Sequence, residues 1–423
     1  MKEASWSSPR VVGSILACVL TGSMTLAAMP ALARAATATI TLSGWTSSPV
    51  EAALMKKLLD HFNQTHPGIH VKYRPISGNY ETILKTRFVA GDAPDIIYVN
   101  NGGESSTFIA NHDLLPLNSY IRASHFSIKD FFPGALSLFT VHGKIYGIPK
   151  DQSPLSLFYN KTLFKAAGIA HPPTTWAQLA QDAHKLTNPK KHIYGLVNSV
   201  QEPRWAEFLY EAGGEVMNAS MTRMELTTPQ ALKGYRFFVN LYRHHDATVP
   251  GTVGAGWSGQ AFGMGRAGMV LDGNWLVPYL NQTYPHTQYG IVPMPRGPVN
   301  AETLTFPVAY GITRDSHNPQ AAWTLIRYLT SRKGMTRWMN LGLALPARKS
   351  LLSLPYYKQH PVLKGLLEDL SQSIPWTFPP GMVQYSSTLM TNETTLVVDG
   401  KLSAKAALQD MQKAGEAILH AGG

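Results

Sequence analysis

Only one cysteine occurs in the 423 residues, Cys18. It lies in the apolar leader described below, so the chain beyond it can form no intramolecular disulfide and offers no thiolate for metal binding or nucleophilic attack. Charge is also sparse, at 15% of residues against about 25% in an ordinary globular domain. Acidic side chains are the scarcer kind, 26 against 37 basic ones, for a net charge of +11. The basic residues never gather: their longest runs are pairs such as Lys56-Lys57, Lys190-Lys191 and Arg332-Lys333. A nucleic-acid-binding chain concentrates them on one face or tail. The scatter instead reads as a solvated surface suited to an anionic envelope or an acidic medium, and no nucleic-acid partner is expected. The motifs His-Glu-x-x-His, Gly-x-Ser-x-Gly, the EF-hand loop and the phosphate loop are all missing. An ATPase that works with this protein must therefore be a separate chain. His244-His245-Asp246 resembles a metal cluster only superficially, because neighbouring helical residues point about 100° apart. No metal, cofactor or catalytic residue is expected.

What is present is material for a large core: 44% hydrophobic and 10% aromatic residues. The length suits two or three domains, and the 29 prolines and 35 glycines are spread as turn punctuation. There is no internal repeat or low-complexity segment. Residues 1–35 read as a secretory signal peptide: Lys2 and Arg10, the nearly uncharged Val11–Met29 stretch, then the small-x-small site Ala33-Arg34-Ala35. Gly13, Gly22 and Pro30 make this stretch a poor membrane span. Leu16-Ala17-Cys18 has a faint likeness to a lipoprotein processing site, but the apolar run before it is short, and cleavage after Ala35 is the expectation.

Beyond the leader, Thr39–Leu42 reads as a strand. A helix follows, with Ser48 as N-cap, Pro49 at the first position, Glu51 closing a capping box, and Val50, Leu54, Leu58 and Phe62 along one face. Ile69–Tyr73 alternates as a strand, and Tyr80–Ala90 reads as a helix. Asp95–Val99 is a continuous apolar run, as in a parallel strand buried on both faces. This alternation predicts an α/β doubly wound start with ligands at the carboxyl ends of the strands. Further on, Thr175 opens a helix with Gln178 in a capping box, Ile193–Val197 and Gly268–Leu271 read as strands, and Ala321–Leu329 and Ser403–Leu419 as helices.

A set of segments in a fixed order now gains meaning. They are Ala90-Gly91-Asp92-Ala93-Pro94-Asp95-Ile96-Ile97, Gly143-Lys144-Ile145-Tyr146-Gly147-Ile148-Pro149, Leu157–Lys161 with Leu163–Ile169, Pro172–Trp176, Phe262-x-x-Gly265-Arg266-Ala267-Gly268-Met269, Gly273-Asn274-Trp275, and Ile291–Pro295. Each is weak alone. Together they resemble, over essentially the whole chain after the leader, family 1 extracellular solute-binding proteins, the maltose-binding-protein-like group serving ABC importers. The resemblance implies a two-lobed, type II periplasmic-binding-protein-like α/β fold, its two discontinuous lobes joined by a three-crossing hinge. It places the crossings near Gly147–Asp151, Leu304–Tyr310 and Ala344–Lys349. Lobe one is then 37–148 plus 308–346, and lobe two 149–305 plus 347–423. It further implies a monomer outside the cytoplasm that binds a carbohydrate and meets the membrane permease subunits of an ABC importer. Relatives that bind glycerol-3-phosphate keep open the alternative of another polar solute. A chemoreceptor adaptor would differ only in its partner. A secreted glycoside hydrolase would need two facing carboxylates about 5–10 Å apart.

A sugar presents apolar faces that stack on aromatic rings and hydroxyls that need side-chain donors and acceptors. Gly273-Asn274-Trp275, with Asp272 beside it, fits this best, and Trp275 matches a common stacking position of the family. Gln201-Glu202-Pro203-Arg204-Trp205 comes second: the Glu-Pro-aromatic pattern supplies Glu202 and Trp205, although Arg204 stands where relatives more often have an aromatic. Trp45, Ser47 and Ser48 lie at the first strand's end beside a helix N-terminus. Asn100 and Asn101 end the buried strand. Asp151 follows a crossing where the family often has a hydroxyl-binding carboxylate, and Tyr310 begins the return to lobe one. Tyr80 completes the set, while Trp257 and Trp376 read better as packed rings than as ligand platforms.

Overall fold

The computed structural model describes residues 37–45, 49–77, 79–100, 103–339 and 345–421. The leader, the Ser48 cap, Ser47 and Asn101 lie outside the described residues. Strands run in chain order β1 (Ala38–Ser43), β2 (Ile69–Tyr73), β3 (Ile96–Val99), β4 (Thr140–Val141), β5 (Lys144–Ile145), β6 (Ile148–Asp151), β7 (Ser156–Asn160), β8 (Tyr194–Val197), β9 (Ala247–Thr248), β10 (Ala267–Asp272), β11 (Tyr289–Val292), β12 (Thr303–Thr305), β13 (Val308–Ile312) and β14 (Ser373–Pro375). They make two five-stranded sheets, ordered β2-β1-β3-β13-β6 and β11-β7-β10-β8-β9, with two small pairs, β12-β14 and β4-β5.

The first sheet begins as the sequence pattern dictates. Parallel β2, β1 and β3 are joined by the helices Pro49–Thr65 and Tyr80–Ala90. All four residues of β3 are buried, which explains its unbroken apolar run. The second helix is capped by Asn79, whose side chain accepts from Thr82 N–H, and ends on Gly91 at φ 67°, a conformation that favours glycine. Trp323, from the much later Pro319–Leu329 helix, is fully enclosed in the same core.

The second sheet is buried on both faces, and its side chains alternate between two cores. Leu157, Met269 and Leu271 face one core with Trp205, Tyr235 and Phe238. Phe158 and Val270 face the other, with Phe262, Leu276 and Leu280. This two-residue period places the Glu202–Glu211 and Pro229–Arg243 helices on one side of the sheet and Ser258–Gly263 with Leu276–Thr283 on the other.

Three chain passages link the sheets, and they lie side by side. The first passage, residues 152–155, bridges to Leu345 through Gln152 and to Thr305 through Pro154. Backbone bonds lace them: Gln152 and Leu345 exchange both N–H donations (3.1 and 3.0 Å), Leu155 N–H donates to Leu304 O (2.9 Å), and Phe306 N–H donates to Ser153 O (2.9 Å). β6 remains paired with β13 through Asp151, so this passage starts just after Asp151. The third passage is pinned by the buried Arg348, which donates to Thr330 O (2.7 Å) and pairs with Asp130 at 3.3 Å. After it, the Lys364–Leu370 helix sets Asp369 under the second sheet, where it accepts from Ser156 Oγ (2.5 Å) and Met294 N–H (3.2 Å).

Candidate functional site

The strand register brings the carboxyl ends of both sheets to the passages. In the first sheet Val99 of β3 sits opposite Ala309, just past the second passage. In the second, Asp272 of β10 sits opposite Ser156, just past the first. The carboxyl ends of β3 and β10 therefore lie beside the hinge, where an α/β sheet holds its ligands. The two halves also touch directly, Ser106 Oγ donating to Phe378 O at 2.9 Å.

On the lobe-two side the site is built from tryptophans beside carboxyls. Trp275 follows β10 and is half-buried. Its side chain lies close to Asp272, and its ring folds back so far over Gly273 that a Cβ there would lie 2.2 Å from it. Asp272 is fully enclosed, accepts from Gly273 N–H at 3.0 Å, and pairs with Arg204 at 3.5 Å. Burial raises its pKa above the usual carboxylate value, while Arg204, the Gly273 bond and the nearby Trp275 oppose that rise. Trp376, also half-buried, follows β14, and its Nε1–H donates to Glu202 Oε2 at 2.6 Å. Phe306 stands between the two indoles, 5.9 Å from Trp275 and 5.5 Å from Trp376 by ring centroids. Asn274 N–H donates to Ser153 Oγ of the first passage (2.9 Å), tying this loop to the hinge.

The lobe-one side is smaller. Trp45, half-buried, packs edge-on against Tyr80 (5.1 Å) and Tyr98 (5.3 Å). Tyr80 is buried and donates to Tyr98 O at 2.9 Å, so it supports Trp45 rather than facing the cleft. Asn100 hydrogen-bonds the buried Glu104, whose carboxyl is pushed by burial to about 8.

Several expected site residues lie deeper than their sequence context suggested. Trp205 is a core residue, fully enclosed and edge-on to Tyr235 at 5.0 Å. The reason is position: the Glu202–Glu211 helix has no exposed residue, so its first aromatic meets the neighbouring Pro229–Arg243 helix. Glu202 is likewise fully enclosed. Asp151 is buried at the hinge, accepting from Trp338 Nε1–H at 3.0 Å and paired with Lys150, whose ammonium lies 4.4 Å from the Trp338 ring centroid. Tyr310 is buried against Tyr98. Trp257 packs on Tyr279. Sequence reasoning did not single out Phe306; its signal was an aromatic beside Pro307 within an expected crossing. Among the described residues, no group of three or more His, Cys, Asp or Glu could hold a metal ion.

Two sheets, three laced passages and an aromatic-rimmed cleft at the strand ends define a class: a type II, two-lobed ligand-binding clamp. The profile of the bacterial extracellular solute-binding proteins matches residues 45–336, and the chain belongs to that family. Members of this family are binding proteins, not enzymes. A Brucella abortus binding protein is 25% identical over 85% of this chain and 88% of its own. The maltotriose-binding protein of Pyrococcus abyssi is 22% identical over 75% of this chain and 68% of its own. Among solved structures, an ABC substrate-binding protein of Listeria monocytogenes in complex with cycloalternan superimposes with a TM-score of 0.82 at 22% identity, covering 91% of this chain and 99% of that one. A solute-binding protein of Thermotoga lettingae bound with alpha-D-tagatose gives 0.80 at 23%, covering 91% and 100%. These likenesses share the fold.

Proposed function

We propose that this protein captures a sugar or short oligosaccharide outside the cytoplasm, in the cleft between its lobes, and delivers it to the permease of an ABC importer. The observation that carries the reading is the aromatic row Trp275, Phe306 and Trp376, held by Phe306 between the two indoles and by the Trp376 N–H bond to Glu202. Such fixed rings offer apolar faces to pyranose C–H surfaces at little entropic cost. Trp45 supplies a ring from the other lobe, with Asn100 and Arg204 as hydroxyl partners, while the buried Asn274 holds the loop to the hinge. Asn101, Ser47 and Ser48 remain part of the proposal by their place at strand ends. Asp151 and Tyr310 act on the hinge rather than on the ligand. The relatives that bind maltotriose or several sugars, and the structures holding cycloalternan or tagatose, support carbohydrate as the ligand class.

The moving bodies are residues 37–148 with 308–346 and residues 149–305 with 347–423, the laced passages serving as hinge. Closure is a population shift driven by contacts that form only when both lobes engage. The chain works as a monomer; a dimer by light scattering at micromolar concentration would refute that. A thermal-shift panel of mono- and oligosaccharides, glycerol-3-phosphate and amino acids tests the ligand class. A ligand at about 100 times its Kd adds about 2.7 kcal/mol. A sugar recovered unchanged after a positive shift supports the clamp. A response to glycerol-3-phosphate alone would replace the sugar; a relative binding that ligand, from Yersinia enterocolitica, is 32% identical over 34% of this chain. Release of reducing sugar from an oligosaccharide would instead mark a hydrolase.

A further inference from the structure

The basic side chains that the sequence scatters are partly gathered by the fold. Residues 316–367 contain eight lysines and arginines and no aspartate or glutamate. Within this stretch the Pro319–Leu329 and Arg332–Met339 helices pack against the Pro49–Thr65 helix. Two recesses open along that seam. One, of about 390 Å³, is lined by Lys57, His61 and Arg337 with Leu54 and Leu58. The other, of about 510 Å³, is lined by His66, Arg327, Arg332 and Arg348 beside Phe126 and Tyr328. They meet at Tyr328, whose hydroxyl accepts from Arg337 Nη1–H at 2.9 Å and whose ring lies 5.8 Å from that of His66. Among the described residues no carboxylate lines either recess. The acids close by are taken: Asp60 pairs with Lys56 at 2.7 Å, and Asp130 with Arg348 at 3.3 Å. Lys57, Arg327, Arg332 and Arg337 have no carboxylate partner among the described residues. Recesses that hold cations between apolar walls focus the field outward and draw in an anion. The seam reaches the amino end of β2, where Ile69 N–H donates to His66 O at 2.8 Å, opposite the strand ends that meet the hinge.

We propose that these joined recesses bind a linear phosphate polymer, holding the protein against an anionic envelope while the cleft stays free. Arg327, Arg332 and Arg337 present guanidinium groups, whose forked donors match phosphate oxygens two at a time. Arg337 is already oriented by Tyr328, so less freedom is lost when it binds. The recessed placing favours a flexible strand over a lipid surface. Arg337 is half-buried and Arg348 buried, out of reach of a flat layer of headgroups, whereas a polymer strand can enter both recesses. The assignment is independent of what the cleft binds.

The test is the binding of fluorescently tagged long-chain inorganic polyphosphate, read by anisotropy over a range of salt concentrations. With about four phosphates neutralised, log K against log salt should slope at about −3. Arg327→Gln combined with Arg332→Gln removes two exposed contacts. That should flatten the slope by about 1.4 and weaken binding about 25-fold at about 0.1 M salt. Lys190→Gln combined with Lys191→Gln takes the same charge from an exposed pair elsewhere and should weaken binding far less. Circular dichroism on both double variants confirms that the fold is kept. Equal losses in the two double variants would overturn the proposal, because net charge alone would then attract the polymer. So would a parent protein that ignores polyphosphate. Binding to phosphatidylglycerol vesicles without binding to polyphosphate would also overturn it and make the seam a membrane contact.

Discussion

Indole placement is the recurring motif at the residue scale. Three tryptophans donate their N–H to carboxyls: Trp376 to Glu202, Trp338 to Asp151 and Trp176 to Glu211. The first holds a ring half-open beside the cleft, and the other two lock buried rings in place. Sequence context cannot separate the cases, because Gly-Asn-Trp and Glu-Pro-Arg-Trp both read as loop aromatics beside polar residues; what separates them is how many elements close over each ring. This difference is measurable. Trp205→Ala should cost about 3–5 kcal/mol in urea or thermal unfolding, as expected of an enclosed aromatic. Trp275→Ala should lose much less stability but weaken sugar binding about tenfold. The reverse pattern would return Trp205 to the cleft. Gly44 gives a third residue-scale test. A Cβ there would lie 2.4 Å from the ring of Tyr98, which is enclosed and cannot retreat. Gly44→Ala should destabilise by about 1–3 kcal/mol by overpacking, and a neutral effect on melting temperature would contradict that crowding.

Helices and strands with a clear period were legible as elements. The expected helix at residues 80–90 and strand at 69–73 coincide with the observed ones, and Thr175 caps its helix by accepting from Gln178 N–H. What the period could not show is which helices would be closed over on every side. The Glu202–Glu211 helix carries Glu202, Glu207 and Glu211, residues that ordinarily mark a solvent face, yet all three are enclosed. Their partners are mostly neutral donors: Trp376, Thr303 Oγ1 at 3.0 Å, and Trp176. Asp369, on its own helix, repeats the arrangement with Ser156. Burial pushes Glu202, Glu207 and Asp369 to about 8, and Glu211 well above the usual carboxylate value, with Arg204 pulling Glu207 only partly back. All four folded-state values are raised, so between the unfolded value of 4.5 for Glu and about 8 the native chain binds more protons than the unfolded one. The stabilisation is complete below the unfolded value and is lost as pH rises through the folded value. Each such carboxyl contributes a slope of up to about 1.4 kcal/mol per pH unit. Melting temperature should therefore fall steadily from pH 5 to pH 8, less steeply in Glu207→Gln. A stability plateau across that range would show that these groups ionise without cost. The basic surface points the same way, toward a medium in which buried acids stay neutral.

For the whole molecule, the connection between lobes decides function. The three passages are bonded to one another by backbone groups close to the hinge, so they resist sliding while a few torsions allow rotation. Away from the hinge the lobes meet at Ser106 and Phe378. Beside that contact lies a groove of about 550 Å³, lined by Leu138 and Val141 together with Met221, Pro375 and Phe378. A bond that spans the lobes away from the hinge weights the equilibrium toward closure without touching the ligand. The hydroxyl also has Gly103 O at 2.9 Å as an acceptor, so removing it should cost at most about 1 kcal/mol of closed state, a factor of up to about five in the closed-to-open ratio. Because a ligand's apparent affinity scales with the competent fraction, Ser106→Ala should weaken every ligand of the cleft by the same small factor, with the loss in dissociation rate. X-ray scattering should report a larger radius of gyration for the ligand-free variant than for the parent, and equal radii once both are saturated. Equal ligand-free radii together with unchanged affinity would mean that the Ser106–Phe378 bond does not bias closure.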